Sequence, residues 1–520
     1  MNEFLKSLKN ENNYTKTENG AVAYKSTMNA CLDAFGSLGA MRFSSDEEII
    51  RVFSKAFAED HALATKMLFY MRDIRGGQGA RKVFRVIIKW LAEIAPQYVI
   101  NNLDNFLEYG RGDDVICLLD TGLKNDVVSW AFQHLKNDWI SYKESTSCSL
   151  LAKWMPSENA SSKDTRKAAR IFIEGFGWKP AQYRKLLSTL RAYLKVVEQK
   201  MSAREWKKIE YGAVPAKAAI NYADAFIKHD ENGYIKYLKD VANGDAKVNA
   251  SSLFPVDIIH QVMAGRHTQM KDRILLDAMW QALPDYCAGH EETGICVVDT
   301  SGSMSGLPME VAISLGMYCG DKCRGPFAGH FITFSSEPEL QTITGADICE
   351  KVYNLQRAGW EMNTDLEKVF DLILRTGVQN HVSDEDMPKK LYIISDMQFD
   401  AARANYDSWH WNSRPRAPFM QTMREKYERA GYTMPIIVYW NVRQSNCGMF
   451  QDTFEGEQCC MVSGYSASLF KSIIEGTTYE EVTKINEKGE KVTTLKEVVD
   501  PMTVMLTTLN GERYAKVWVA

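Results

Sequence analysis

Apolar residues recur with a helical period through the first half of the chain. Ile49, Val52, Phe53 and Ala56 follow i, i+3, i+4, i+7 spacing, Leu63, Met67, Tyr70 and Met71 continue it, and Val83, Val86, Ile87, Trp90 and Leu91 resume it after "RGGQGAR". Each run is short and ends in punctuation such as "APQ", "YGRGDD", "GWKP", "ENG" or "NGD". Short antiparallel helices cannot bury their apolar faces singly. The pattern therefore predicts stacked helix pairs over residues 1–290, an α-helical solenoid of HEAT-like repeats or a large irregular bundle, although no exact repeat period is present.

Near residue 290 the period changes. Strand-like runs "GICVVD", "HFITFS", "KLYIISD" and "MPIIVYW" alternate with the helical runs "LPMEVAISLGMYCG", "TDLEKVFDLILRTG", "FMQTMREKYERAG" and "SASLFKSIIEG". Buried strands alternating with amphipathic helices predict a parallel, doubly wound α/β domain of Rossmann-like type over residues 291–520. "EEVTKINEKGEKVTTLKEVV" alternates polar and β-branched residues about a glycine turn and predicts a hairpin, and "NGERYAKVWVA" predicts one last strand.

At 520 residues the chain exceeds one hydrophobic core, which agrees with two domains. No apolar run reaches the length of a membrane span, and "MNEFLKSLKNENNYTK" lacks the apolar core of a signal peptide, so a soluble, cytoplasmic protein with no membrane partner is expected. The eleven cysteines form no C-x-x-C pair; Cys319 and Cys323 are one helical turn apart, Cys459 and Cys460 are adjacent, and reduced, buried thiols are the expectation. The net charge of −4 divides into +6 for residues 1–290 and −10 for residues 291–520, which predicts a different partner for each half.

The strand "ICVVD" runs into a carboxylate, and "TSGSMSG" then surrounds it with hydroxyls. In parallel sheets, ligands sit at the carboxyl ends of strands, which places Asp299 and Asp396 on one rim. Asp299, Ser301 and Ser303, spaced by two along a tight loop, can direct hard oxygen ligands to one point, with Thr364 and Asp396 as further oxygen sources. A buried, unpaired carboxylate costs several kcal/mol. A divalent cation, Mg²⁺ or Mn²⁺, would remove that cost.

This D-x-S-x-S after a first strand, a Thr some 60 residues on and an Asp closing a later strand resemble the metal-ion-dependent adhesion site (MIDAS) of von Willebrand factor A (vWA) domains. The resemblance falls on Asp299, Ser301, Ser303, Thr364 and Asp396, and implies Mg²⁺ with one position open to an acidic residue of a protein partner. The third loop departs from the pattern, since Met397 and Gln398 follow Asp396 where many such domains have Gly. In the first half, "TENGAVAYKSTMNACLDAFGSLG", "MLFYMRDIRGGQGARKVF", "EYGRGDDV", "KWMPSENASS" and "KPAQYRKLLSTLR" resemble an uncharacterised family of plants, fungi and large DNA viruses, known only as a domain of unknown function. That resemblance covers about residues 15–515. The layout is also similar to the TROVE module of Ro ribonucleoproteins, whose helical repeats bind RNA.

Residues 161–217 interleave Lys163, Arg166, Lys167, Arg170, Arg184, Lys185, Arg191, Lys207 and Lys208 with Trp178, Tyr183, Tyr193 and Trp206. Cations can neutralise phosphates while aromatics stack on unpaired bases. The same charges also read as the solvated side of a core face built on Leu186, Leu187, Leu190 and Leu194. "RGGQGARK" lacks the ending of a phosphate loop and predicts a helix–helix turn; Asp113 and Asp114 of "YGRGDD" predict a helix cap. His330, His381 and His410 have no positional link to the rim, and no nucleophile elbow is present. The expectation is a non-enzymatic scaffold with RNA on the helical half and an acidic protein ligand on the metal. A protein-only adaptor and a metal-dependent phosphoesterase or nuclease are the alternatives.

Overall fold

The structure, a computed structural model, describes residues 12–17, 22–265, 269–334, 337–356, 365–399, 419–443, 450, 459–485 and 491–519. Two compact units form, one from Met1–Glu59 with Phe254–Gly511 and the other from Asp60–Leu253 with Glu512–Ala520. The division expected at residue 290 thus falls inside the first unit.

The first unit is built on strands β3 (Gly294–Asp299), β4 (His330–Phe334), β5 (Leu340–Thr342), β6 (Lys390–Ser395), β7 (Ile436–Asn441) and β8 (Cys459–Ser463); the hairpin β1 (Tyr14–Lys16) and β2 (Val22–Tyr24) precedes them. The six-stranded sheet has the order β5-β4-β3-β6-β7-β8, parallel throughout except for β5 at one edge. Every residue of β3, β6, β7 and β8 is buried, which is why these strands read as unbroken apolar runs.

Helix Leu307–Lys322 explains the shifted boundary. All residues from Val311 to Gly320 are buried, so this helix needs cover on both sides. The sheet supplies one side, and helix Pro255–Met263 supplies the other. Helix Met270–Gln281 is tied in as well: Arg273 Nε donates to Asp347 (3.0 Å), and Trp280 Nε1 donates to Asp321 (2.7 Å). Periodicity marks these segments as helices but does not say against what they pack.

The segment around residue 40 docks on the end of β8. Gly39 N donates to Ser463 Oγ (3.1 Å), which donates in turn to Phe35 O (2.8 Å). A Cβ on Gly39 would stand 2.3 Å from Ser463 O, so the approach requires glycine. Cys287 and Cys323 form a disulfide across 36 residues, which corrects the expectation of reduced thiols throughout. Cys319, one helical turn from Cys323, stays a free thiol, whereas packing brings in Cys287 from the preceding segment. The expected hairpin is present as β9 (Thr477–Ile485) and β10 (Lys491–Val499), antiparallel in full register.

The second unit is helical, running from helix His61–Arg72 through Arg81–Ile94, Lys124–Lys143, Lys163–Gly175 and Pro180–Tyr193 to Ala216–Ala242, which is kinked at Asp230. "RGGQGARK" is a helix–helix turn held by Asp73, whose carboxylate accepts from Arg75 N (3.0 Å) and Gly76 N (3.2 Å). The predicted last strand is not formed. A single 3₁₀ turn, Glu512–Tyr514, stands there, and the backbone that follows is satisfied by side chains: Trp518 N donates to Asn102 Oδ1 (2.8 Å), and Asn102 Nδ2 donates to Trp518 O (2.9 Å).

Asp114, read from sequence as a cap, is more than that. It accepts from Arg111 N (3.0 Å) and pairs with Arg72 Nε (2.6 Å) and Arg85 Nε (2.7 Å), with its side chain and that of Arg72 0% and 5% exposed. Removing the carboxylate would strand Arg72 without its counter-charge. Asp114→Ala is therefore expected to destabilise the protein by about 3–5 kcal/mol, measured by urea unfolding, whereas alanine at the exposed, paired Lys167 should cost well under ~1 kcal/mol.

Candidate functional site

Chain direction reverses across the sheet between β3 and β6. After β3 the chain adds β4 on one side, and it later returns to lay β6 on the other. Such a switch point opens a crevice at the carboxyl ends of the two strands. Asp299 closes β3 and Asp396 follows β6 there; the register pairs Val298 with Ile394, so Asp299 stands level with Ser395.

Both carboxylates are buried, Asp299 at 0% and Asp396 at 3% exposure. Asp299 Oδ1 accepts from Ser301 N (2.9 Å), and Oδ2 accepts from the Ser395 hydroxyl. Asp396 Oδ1 accepts from Gln398 N (3.2 Å). Met397, at the point of departure from the glycine pattern, adopts φ of 65°, a left-handed conformation that costs a non-glycine residue about 1–2 kcal/mol. The loop takes the turn nonetheless, with the Met397 side chain buried and its N–H on Ser395 Oγ (3.1 Å).

Ser301 is buried and Ser303 exposed, with their hydroxyl oxygens 3.0 Å apart. Burial pushes the Asp299 carboxyl up to about 7, with the Ser395 hydrogen bond opposing, the charge of Asp396 adding to the rise, and the Ser301 contacts opposing again. Two like charges and two hydroxyls thus share one small volume. The donor set is all oxygen, which suits a hard divalent cation such as Mg²⁺ or Mn²⁺.

Of the five expected ligands, Asp299, Ser301 and Ser303 are linked by hydrogen bonds, and Asp396 follows the neighbouring strand end on the same rim, its charge acting on Asp299. Thr364 lies outside the described residues. Its neighbour Asp365 caps helix Leu366–Asn380, accepting from Lys368 N (3.4 Å). Two groups were missed from sequence. The Ser395 hydroxyl is buried on Asp299, and "SD" at the strand end was its signal; Arg443, after β7, donates to the carbonyl of Ser303, and no spacing rule linked them. Of the histidines, His330 contacts Ala328 O through Nδ1 (2.8 Å), His381 ends helix Leu366–Asn380 in left-handed conformation, and His410 lies outside the described residues.

The basic stretch is divided in its use. Arg191 donates to Ala152 O (2.9 Å), Met155 O (2.7 Å) and Ser157 Oγ (3.0 Å), and Arg166 donates to Ala160 O (2.6 Å) and Ser161 O (2.7 Å). Arg184 pairs with Glu158 (2.6 Å), Lys208 with Glu205 (2.7 Å) and Lys167 with Asp120 (3.4 Å). Lys163, Arg170, Lys185 and Lys207 are exposed. Among the aromatics Tyr183 is wholly buried, donating to Pro156 O (2.8 Å), and Trp206 stacks on His229 at 4.3 Å. Tyr183 is thus a core residue and offers no stacking platform.

Residues 293–509 match the family described as Domain of unknown function (DUF7788), and residues 17–114 and 179–285 match Domain of unknown function (DUF2828). The chain is 30% identical over 543 aligned positions to "Uncharacterized protein L728" of Acanthamoeba polyphaga mimivirus, covering 96% of this chain and 90% of the viral protein. It belongs to the family of that protein. The expected membership in an uncharacterised family is met. No helix among the described residues is long and apolar enough to cross a membrane.

The raised carboxyl carries a pH signature. A folded value of about 7 against an ordinary 3.8 means that the native state holds this proton more tightly. Its contribution to stability is full below about pH 4 and is lost as pH rises through 7, an effect on the order of 4 kcal/mol in metal-free buffer. Urea unfolding in EDTA from pH 5 to 8 should show this decline, and Asp299→Asn should flatten it.

Proposed function

We propose that the chain is a non-enzymatic binding scaffold whose rim at Asp299 and Asp396 holds Mg²⁺ and, through it, an acidic residue of a protein partner. The observation that carries this reading is the meeting of two buried carboxylates with the hydroxyls of Ser301 and Ser303 at one switch point. Asp299, Ser301, Ser303, Asp396 and Thr364 would hold the ion. Once bound, the cation supplies neutralisation of the paired carboxylates and an open position for an anionic oxygen. The sheet order and the left-handed turn at Met397 support a vWA-like reading of the unit, in which a glycine-favouring turn follows the last ligand.

For the helical unit we propose a repeat architecture of TROVE-like kind and contact with RNA through Lys163, Arg170, Lys185 and Lys207, four exposed cations of the basic stretch. A ribonucleoprotein role follows from the two parts together. A hydrolase reading would need a proton acceptor beside the cation; His330 contacts Ala328 O and His381 ends helix Leu366–Asn380.

Titration of the purified chain with Mn²⁺, followed by electron paramagnetic resonance, should show one site that is abolished in Asp299→Ala and weakened about tenfold or more in Thr364→Ala. Failure of the unmodified chain to bind Mn²⁺ or Mg²⁺ would end the metal reading. For RNA, the 260/280 nm absorbance ratio should fall on ribonuclease treatment. Alanine at the four exposed cations should reduce the salt slope of single-stranded RNA binding by roughly 3. A nucleic-acid-free preparation that shifts no RNA favours the protein-only adaptor, and metal-dependent cleavage lost in Asp299→Ala favours the hydrolase.

A further inference from the structure

Two side chains that no motif connects, Arg42 and Tyr465, meet after β8, and a third, Arg443, reaches the rim from the neighbouring strand end. Arg42 follows the 3₁₀ turn Leu38–Ala40, Arg443 follows β7, and Tyr465 follows β8. The Arg42 guanidinium carbon stands 4.2 Å from the centre of the Tyr465 ring. Tyr465 is 4% exposed, and its hydroxyl has no hydrogen-bond partner among the described residues. Arg443 is exposed, and one of its nitrogens holds the carbonyl of Ser303 in the D-x-S-x-S loop.

The electrostatics agree with the geometry. Burial raises the Tyr465 hydroxyl above its ordinary range, and the charges of Arg42 and Arg443 both oppose the rise. Burial also draws the Arg42 guanidinium down to about 10, with Tyr465 and Asp257 opposing. It remains charged at neutral pH. A buried phenol without a partner forgoes a hydrogen bond worth about 1 kcal/mol, and two nearby guanidinium groups favour an oxyanion as the group that would accept it.

We infer that Arg42, Arg443 and the Tyr465 hydroxyl form a subsite for a second anionic oxygen group, and that the ligand of this face is an acidic peptide segment with two carboxylates. One carboxylate is directed to the Asp299 and Asp396 rim, the other to the arginines. The inference rests on the reading of the rim as a cation site open to a carboxylate. The distances suit an extended peptide: β3 and β8 are three strand spacings apart, about 14 Å, and β7, which Arg443 follows, lies between them. Carboxylates two to four residues apart along an extended chain span roughly 7 to 14 Å. Arg443, bonded to the Ser303 loop from the end of a strand two places away, ties the second subsite to the first.

The test is fluorescence anisotropy of the full chain with a labelled oligo-aspartate of about ten residues, in Mg²⁺ and in EDTA. Arg443→Gln is expected to weaken binding about tenfold in both buffers, and Tyr465→Phe to weaken it several-fold. If Arg443→Gln leaves affinity within about twofold in both buffers, the inference is overturned, even where EDTA releases the probe and the metal reading stands. If EDTA has no effect while Arg443→Gln still weakens binding tenfold, the metal reading falls and the arginine subsite stands. A chain that binds inorganic phosphate but not the peptide, or neither probe in either buffer, overturns the acidic-peptide assignment. Because Arg443 is exposed, its variant keeps the test valid even if Arg42→Gln fails to fold, which a thermal melt reports.

Discussion

The cost of taking Asp299 out of water governs the architecture of the α/β unit. β3 is buried on both faces, so its terminal carboxylate has no route to solvent through the sheet. Hydroxyl and amide donors from Ser395 and Ser301 recover part of the lost hydration. They do not supply positive charge, and the neighbouring charge acting on Asp299 is that of Asp396, of the same sign. Several kcal/mol remain unbalanced at neutral pH.

The opposite edge of the same sheet shows how the chain treats buried charge when no ligand is involved. Lys390 opens β6 beside Glu292, at 3.5 Å, and Glu497, at 2.8 Å, and Tyr392 donates its hydroxyl to Glu292 at 2.7 Å. Opposite signs meet there within a hydrogen-bonded network, so the charges are balanced by the protein itself. At the carboxyl edge like signs meet. The difference between the two edges lies in the choice of side chains.

Much of this was legible because burial on both faces leaves a plain mark. The unbroken runs "ICVVD", "LYIIS" and "IIVYW" gave three central strands, and D-x-S-x-S marked the loop after the first. What could not be read depends on partners distant in sequence. β8 consists of "CCMVS", a five-residue run whose two cysteines read as buried thiols and not as part of a strand, and Cys287 meets Cys323 only because its segment packs beside the end of Leu307–Lys322. The chain end "AKVWV" has a strand's alternation, yet Asn102 takes up the backbone of Trp518. Clustered charge misled in the same way. Arg191 and Arg166 look like surface cations in a list, but their guanidinium groups are spent on main-chain carbonyls that no helix satisfies.

The family matches and the structural units divide the chain differently, and the difference has a physical cause. One family description ends at residue 285 and the other begins at 293, which is where the texture of the sequence changes from helical to alternating. Structurally, Phe254 to Gln281 and the first 59 residues belong with the sheet. Helix Leu307–Lys322 has no solvent face, so an α/β unit cut at residue 293 would expose the apolar side that Pro255–Met263 covers, and would lose Gly39 from the end of β8. Arg42 would go with it. A rim assembled from a segment near residue 40 and loops beyond residue 299 can exist only when both matched regions are present in one chain, as they are here and in the viral relative aligned over 96% of this sequence. Within the α/β unit the first matched region contributes cover and Arg42, and the second contributes the carboxylates of Asp299 and Asp396.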